Sequence, residues 1–234
     1  MDRQVQIKSA DDQLTGALTA LASTLRHHRD MGVTEVSLGG DYLQGPEDAL
    51  ARQQRELQGC RLCKLCEGRS TIVFGSGNPR AEMMVVGEGP GADEDAQGLP
   101  FVGRAGQLLT KMLASVDITR DEVFITNMVL CRPPGNRNPE PDELAACRPF
   151  LDAKLGILQP KVILALGSVA TQALLRTKEP IGKLRGRLHP FGAAVVVPTF
   201  HPAFLLRNPG AEYRRMAWDD LKLAKREYDA RRHR

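Results

Sequence analysis

Four short apolar runs, separated by segments long enough for helices, dominate the hydrophobic pattern of the chain beyond residue 80. They lie at Met83–Val86, Val123–Thr126, Val162–Leu166 and Ala194–Val197. Continuous apolar runs, as opposed to alternating ones, are typical of strands that are buried on both faces of a parallel sheet. The pattern therefore predicts a three-layer α/β/α domain whose sheet has four mainly parallel strands.

The residues that follow these runs are small or polar. Gly87-Glu88-Gly89-Pro90-Gly91 follows the first run, Asn127 ends the second, Ser168 follows the third, and His201 follows the fourth. Ligands of open α/β sheets bind at the carboxyl ends of the strands. We therefore expect Glu88, Asn127, Ser168 and His201 to share one rim.

The first 58 residues differ from the rest of the chain. Leucines recur at helical spacing between Leu14 and Leu25, and Pro46 can begin a second helix that runs toward Gly59. We predict a helical N-terminal extension over residues 1–58, in which no motif indicates a function, and a main domain over residues 59–234.

Composition narrows the class of protein. Hydrophobic residues make up 42% of the 234, and the net charge of +4 with a pI near 8.9 permits binding to nucleic acid without requiring it. No apolar run is long enough to span a membrane, and the N-terminus lacks the apolar core of a secretory signal. We therefore expect a cytoplasmic protein with no membrane partner, in which cysteines serve as metal ligands or reactive thiols more often than as disulfides.

The five cysteines fall into a cluster and two single positions. Cys60, Cys63 and Cys66 form a Cys-x-x-Cys-x-x-Cys run, and Cys131 and Cys147 follow at a distance. Two thiolates from one turn, joined by two others, could hold zinc or an iron–sulfur cluster, and spacing alone does not choose between them. The alternative is a set of unrelated buried thiols.

The glycine-rich loop after the first run has several interpretations. Gly87-x-Gly89-x-x-Ala92 fits the dinucleotide fingerprint, but Asp93-Glu94-Asp95 follows where a pyrophosphate would lie, so nucleotide binding is disfavoured. Phe101 is either a core residue or a stacking platform for a flat ligand. The amide of Asn127 either caps a loop or reads the edge of a base, which needs both a donor and an acceptor.

The last third of the chain adds candidates for contact with an anion. The turn at Ser168 suits a phosphate held by backbone N–H groups, and Lys183, Arg185 and Arg187 form a basic loop that is either solvated or in contact with phosphates. His201-Pro202-Ala203-Phe204-Leu205-Leu206-Arg207 combines a histidine, an apolar knob and an arginine. In the C-terminal helix, Trp218, Leu221 and Tyr228 are expected to pack against the core.

Taken together and in this order, several motifs resemble the iron–sulfur uracil-DNA glycosylases, family 4 of their superfamily. The resemblance covers residues 60–226 and lies in Cys60-x-x-Cys63, Gly87-Glu88-Gly89-Pro90-Gly91, Gly98-Leu99-Pro100-Phe101-Val102-Gly103, Ile125-Thr126-Asn127, Cys131-Arg132-Pro133-Pro134 and His201 to Pro209. It implies a [4Fe–4S] cluster bound by Cys60, Cys63, Cys131 and Cys147, with Cys66 as an extra thiol.

The resemblance also implies a uracil pocket lined by Gly87 and Gly89. Phe101 would stack on the flipped base, Asn127 would pair with its polar edge, and Glu94 would crowd C5 and exclude thymine. His201 would donate a hydrogen bond to the uracil oxygen as negative charge develops. Because Gly89 replaces the aspartate of the best-known branch, Glu88 becomes the candidate for positioning water or stabilising the cation.

On DNA, the resemblance implies a monomer that acts on single- or double-stranded substrate. Leu205 or Leu206 would enter the duplex as a wedge, while Arg207, Arg185 and the backbone of Ser168 would contact phosphates. No lysine occupies a nucleophile position, so we expect an abasic site without strand cleavage. A variant branch of the superfamily forms a covalent adduct with DNA through a histidine in an inserted basic loop after the second strand. Residues 132–141 contain neither a histidine nor an insertion, so resemblance to that branch is disfavoured. A non-catalytic cluster protein that binds DNA or senses redox state is the alternative.

Overall fold

A mixed sheet runs through the centre of the domain in the computed structural model, which describes residues 45–232. Within these residues the sheet has six strands, in the order β1-β3-β2-β4-β6-β5. Strands β3, β2, β4 and β6 are mutually parallel, and β1 and β5 pair antiparallel at the two edges. In chain order the strands are β1 (Ser76–Gly77), β2 (Met83–Gly87), β3 (Val123–Asn127), β4 (Val162–Leu166), β5 (His189–Phe191) and β6 (Ala194–Thr199).

The predicted four-stranded parallel core is confirmed, and every residue of its four strands is buried. The edge strands were not predicted. Strand β1 has only two residues and β5 has three, one of them Pro190, so neither presents an apolar run.

Helices cover both faces of the sheet, as expected for strands without a polar face. None of the helices in residues 45–232 is both long enough and apolar enough to cross a membrane. The helices are α1 (Pro46–Glu56), α2 (Ala92–Gln97), α3 (Arg104–Ala114), α4 (Pro141–Leu158), α5 (Gly167–Leu175), α6 (Ile181–Leu184), α7 (Pro202–Arg207) and α8 (Ala211–Arg232).

Alternate residues of each strand enter two separate cores. Met84 and Val86 of β2 pack with residues of α1, α4 and α5, whereas Met83 and Val85 pack with residues of α3, α7 and α8. This alternation follows from the two-residue period of a strand. The result is a three-layer arrangement that leaves the carboxyl ends of the parallel strands open.

Helix α1 packs onto the domain, although the sequence assigned its residues to the extension. Leu50 and Leu57 are buried in the same core as α4, and the Gln53 Nε2 donates to the Phe150 carbonyl over 2.8 Å. The first helix predicted for the extension, at Leu14 to Leu25, lies outside the described residues. The division of the chain at residue 58 therefore stays a prediction.

Candidate active site

A cavity of about 410 Å³ opens at the carboxyl ends of β2, β3 and β6. Glu88, Phe101, Asn127 and His201 line it, together with Arg207 from the end of α7. Strand β2 pairs with β3 on one side and with β4 on the other. The order in which the chain adds strands to the sheet therefore reverses at β2. The cavity therefore lies at the topological switch point where α/β sheets bind their ligands. The predicted rim is confirmed for Glu88, Asn127 and His201.

The floor of the cavity is built from close contacts around Gly87. A Cβ atom on Gly87 would lie 2.4 Å from the Asn127 Oδ1 and 2.5 Å from the Phe101 Cζ, which no side chain could tolerate. Gly87 and Asn127 are register partners in β2 and β3, so the sheet itself fixes this approach. The glycine allows the amide and the aromatic ring to converge.

The side chain of Asn127 points to a ligand. It is buried, and among the described residues its Oδ1 has no hydrogen-bond partner. A buried amide oxygen without a partner costs about 1–3 kcal/mol. A ligand that donates a hydrogen bond to this oxygen would recover that free energy, which favours base recognition over a loop-capping role.

Phe101 lies at the cavity in an unusual backbone conformation. Its φ is +53°, in the left-handed region that non-glycine residues rarely adopt. The Arg120 guanidinium donates to the Phe101 carbonyl over 3.1 Å and to the Pro100 carbonyl over 2.9 Å. A Cβ on Gly106 would come 1.8 Å from the same Phe101 oxygen, so α3 must present a glycine there. The ring is thus held in place, and its centroid lies 5.7 Å from that of His201.

Glu94, in the first turn of α2, binds the backbone of the residues that follow Phe101 in this loop. One carboxylate oxygen accepts from the N–H groups of Val102 and Gly103, each over 2.9 Å, and the other accepts from Gly91 over 3.1 Å. Glu94 also lines the cavity. Its contacts show that it fixes the loop that carries Phe101, a role that the sequence did not predict.

His201 precedes α7, and one of its ring nitrogens is already engaged. The Nδ1 accepts from the Ala203 N–H over 3.1 Å, which leaves the proton of a neutral imidazole on Nε2. Burial first, and then the Arg207 charge, lower the pKa of His201 to about 4. At neutral pH the ring is therefore a neutral hydrogen-bond donor at the cavity.

Glu88 follows β2 and lines the cavity beside Gly89. Burial raises the pKa of the Glu88 carboxyl, and the nearby Arg207 guanidinium partly opposes this effect. A raised pKa makes the carboxylate a better proton acceptor than an exposed glutamate. Glu88 and His201 thus give the cavity one potential base and one neutral donor.

Cys60, Cys63, Cys131 and Cys147 lie close to one another, and Cys66 lies close to Cys63. Cys60 and Cys63 are half-buried, whereas Cys131 and Cys147 are buried, and none of them forms a disulfide. Burial first, and then the neighbouring thiols Cys131, Cys63 and Cys60, raise the pKa of Cys147 to about 11. The Arg69 guanidinium donates to the Cys131 Sγ over 3.3 Å and to the Cys60 carbonyl over 2.7 Å.

As a donor set, these four thiols would fit an iron–sulfur cluster. Within residues 45–232 no group of three or more Cys, His, Asp or Glu side chains is arranged to hold one metal ion. All four donors are sulfur, a set that suits zinc or an iron–sulfur cluster, and Arg69 supplies a positive charge beside them.

Comparison with known proteins agrees with this geometry. The sequence model of the Uracil DNA glycosylase superfamily matches residues 74–222. The chain belongs to this superfamily. A Type-4 uracil-DNA glycosylase of Thermotoga maritima is 44% identical over 181 residues, which cover 76% of this chain and 94% of the relative.

Other relatives place the chain within the superfamily. A Type-4 uracil-DNA glycosylase of Sulfurisphaera tokodaii is 43% identical over 184 residues, covering 75% of this chain and 83% of the relative. A Type-5 uracil-DNA glycosylase of Thermus thermophilus is 30% identical over 211 residues, covering 73% of this chain and 94% of the relative. The predicted similarity to family 4 is therefore confirmed.

The residues predicted to contact DNA occupy different environments in this superfamily member. Leu206 is 40% exposed, whereas Leu205 is only 4% exposed and packs in the core with α3 and α8. Of the two, Leu206 alone is available as a wedge. Arg207 is exposed at the cavity, and Ser168 lies in the first turn of α5, outside the cavity lining.

Arg185 has a structural environment. Its guanidinium makes two hydrogen bonds of 2.9 Å to the buried Asp220 carboxylate and lies 5.2 Å from the Phe200 ring centroid. The Asp220 carboxylate therefore neutralises the Arg185 charge within the domain. The role of Arg185 as a DNA contact stays a prediction, and the geometry gives it no support.

Proposed function

We propose that this protein is a monofunctional DNA glycosylase that removes uracil from DNA and leaves an abasic site. The buried, unpartnered Asn127 Oδ1 at the floor of the cavity carries this proposal. A flipped uracil offers the N3–H donor that this oxygen lacks and the O4 acceptor that the amide N–H requires.

Phe101 provides the face on which uracil stacks. Its ring is held beside the cavity by the contacts of Arg120 and Glu94 on the two sides of its backbone. Glu94 would also exclude thymine, because a C5 methyl group would meet the loop that its carboxylate holds. Stacking on an aromatic ring contributes about 1–3 kcal/mol per base.

Bond cleavage depends on His201. As the bond between the sugar C1′ and the uracil N1 breaks, its electron pair moves to the base and charge develops on the uracil O2. The Nε2–H of the neutral His201 donates a hydrogen bond to that oxygen. A preorganised donor of this kind contributes about 10²–10³ to the rate. Because the pKa of His201 is about 4, the imidazole stays uncharged at neutral pH and acts as a neutral hydrogen-bond donor.

Glu88 acts on the sugar side of the cavity. The departure of uracil leaves oxocarbenium character at C1′, which the Glu88 carboxylate stabilises. A water molecule forms the new C1′–O bond and gives its proton to Glu88, which returns it to solvent, while the uracil anion takes a proton from solvent. No lysine lines the cavity among the described residues, so no Schiff base forms and the strand stays intact.

Cys60, Cys63, Cys131 and Cys147 would hold a [4Fe–4S] cluster, with Cys66 outside the ligand set. When bound, the cluster supplies a cross-link between the segment before β1, the loop after β3 and helix α4. The mutual proximity of the four thiols and the Arg69 contact support this assignment.

The substrate is uracil-containing DNA, single- or double-stranded. Leu206 would fill the gap left by the flipped nucleotide, and Arg207 would contact a phosphate. The protein would act as a monomer inside the cell, where its substrate lies.

An excision assay tests the function directly. The chain is incubated with a labelled oligonucleotide that contains one uracil, and with a matched oligonucleotide that contains thymine at the same position. Alkali-labile sites should appear only at uracil, and no strand break should appear before alkali treatment. Binding to uracil-containing DNA without alkali-labile sites would instead favour the non-catalytic alternative.

A further inference from the structure

An apolar groove of about 300 Å³ lies between α3, α7 and α8, separate from the cavity that takes uracil. Leu108 and Met112 line it from α3, Leu205 and Leu206 from α7, and Trp218 from α8. Trp218 is 47% exposed, so the sequence-based expectation that it packs in the core is wrong. The proposed function leaves this groove and its tryptophan unused.

The groove continues the face of α3 that begins at the cavity. Arg104 and Ala105 line the cavity, and Leu108, Lys111 and Ser115 line the groove. Positions 104, 108, 111 and 115 are separated by three or four residues and therefore lie on one side of the helix. Leu206, the exposed leucine beside the cavity, also belongs to the groove lining. A strand with one base in the cavity thus has a direct path into the groove.

Four cationic side chains lie along this path, and the acidic side chains Glu88, Asp93 and Glu94 line only the cavity. Arg104 and Arg207 line the cavity, and Lys111 and Arg214 line the groove. Among residues 45–232, none of these four side chains takes part in an ion pair, whereas Arg137, Arg148 and Arg185 each have a carboxylate partner. No acidic residue lines the groove itself. The Lys222 ammonium lies 3.9 Å from the centroid of the Trp218 ring, so a base would stack on the face that Lys222 leaves open. Cations next to an aromatic ring are the combination with which proteins bind single nucleic-acid strands.

We propose that the groove is a second DNA subsite, which takes an unstacked nucleobase that neighbours the flipped uracil. The base stacks on the Trp218 indole against Leu206, and the phosphates on either side of it contact Lys111 and Arg214. This inference rests on the proposed function only in taking DNA as the substrate. It explains how a single strand, which has no second strand to hold it, would be retained.

Trp218 is the single tryptophan of the chain, so its fluorescence reports on this groove alone. The full chain is titrated with a single-stranded oligonucleotide that lacks uracil, so that binding occurs without turnover. We expect saturable quenching of the indole emission. Unchanged emission at a DNA concentration that saturates binding by anisotropy would overturn the proposal.

Variants measured by anisotropy of labelled DNA provide the second arm. Trp218→Leu should weaken single-strand binding roughly 5- to 150-fold, the range for loss of one stacked base, and Trp218→Phe should retain most of the affinity. Lys111→Gln and Arg214→Gln should each reduce the salt dependence by about one phosphate contact. Lys178→Gln, which removes an exposed charge from the segment after α5, is the matched control and should leave binding unchanged.

The outcomes separate this inference from the excision reaction. If DNA quenches the indole emission but the chain excises no uracil from a uracil-containing oligonucleotide, the groove is supported and the proposed function is rejected. Excision with full single-strand affinity in Trp218→Leu would reject the groove and leave the function intact. A concentration-dependent emission shift without DNA, together with a dimer in sedimentation, would assign the groove to a second copy of the chain and overturn the proposal.

Discussion

Arg120 offers the sharpest test of how Phe101, the proposed uracil platform, is held in place. Its guanidinium donates to the carbonyls of Pro100 and Phe101, and Phe101 has a left-handed backbone conformation. That conformation costs about 1–2 kcal/mol, whereas a hydrogen bond from a charged donor contributes about 1.5–3 kcal/mol. The two bonds of Arg120 therefore exceed the strain, and without them the loop should relax.

The predicted consequence of Arg120→Met is a misplaced Phe101 ring. Glu94 still holds the N–H groups of Val102 and Gly103, so the loop should shift without unfolding. Because stacking contributes about 1–3 kcal/mol, we expect the inhibition constant of free uracil to rise roughly 5- to 150-fold. The single-turnover rate at saturating enzyme should fall less than the rate at limiting enzyme.

Arg148→Met is the matched control for Arg120→Met. Arg148 also donates to a backbone carbonyl, that of Ala173, but it lies in α4, away from the cavity. Both variants should lose stability in urea, and only Arg120→Met should lose affinity for uracil. Arg120→Lys, which retains one donor, should fall between the wild type and Arg120→Met. If uracil inhibits Arg120→Met as well as it inhibits Arg148→Met, Arg120 does not position the platform.

Three further predictions concern the cavity and the cysteines. His201→Ala should lower single-turnover excision by roughly 10²–10³ while binding to abasic DNA persists, and an unchanged rate would remove His201 from the mechanism. Because burial lowers the pKa of His201 from 6.5 to about 4, the unfolded chain binds more protons between these values. Urea unfolding should thus show stability falling by up to about 3 kcal/mol from pH 6.5 to 4, and His201→Gln should lack this part of the slope. Cys147→Ala should lose iron, colour and thermal stability, whereas Cys66→Ala should keep all three, and the reverse pattern would reject the ligand assignment.

The central strands and the cavity rim could be predicted because burial on both faces leaves a direct pattern in the sequence. A strand such as β4 must be apolar throughout, and its polar successor must lie at the carboxyl edge. The edge strands leave no such pattern, because one of them has two residues and the other contains Pro190.

Arg120 could not be found from the sequence because its partners are backbone carbonyls. Such a contact places no requirement on the residue types that supply the carbonyls, which lie about twenty positions earlier in the chain. The only trace is Gly106, whose lack of a side chain makes room for the Phe101 carbonyl. Trp218 was misassigned for a related reason, since helical periodicity predicts that Leu221 is buried but does not fix how wide the buried face of α8 is.

Helix α2 provides a physical link by which an iron–sulfur cluster at the cysteines could affect the distant base pocket. Glu94 fixes the loop that carries Phe101, and the next residue, Asp95, accepts hydrogen bonds from the N–H groups of Ser70 and Thr71. Ser70 directly follows Arg69, whose guanidinium contacts the Cys131 sulfur and the Cys60 carbonyl.

One short helix therefore contacts the uracil platform and the cysteine segment through adjacent carboxylates. Asp95 is buried, so its two backbone partners cannot be replaced by water without moving α2. A cluster that orders the segment from Cys60 to Arg69 would thus hold Asp95, and through it Glu94 and the Phe101 loop, in the arrangement that stacking on uracil requires. A cluster bound there would in this way support catalysis with no electron transfer and no contact with the substrate.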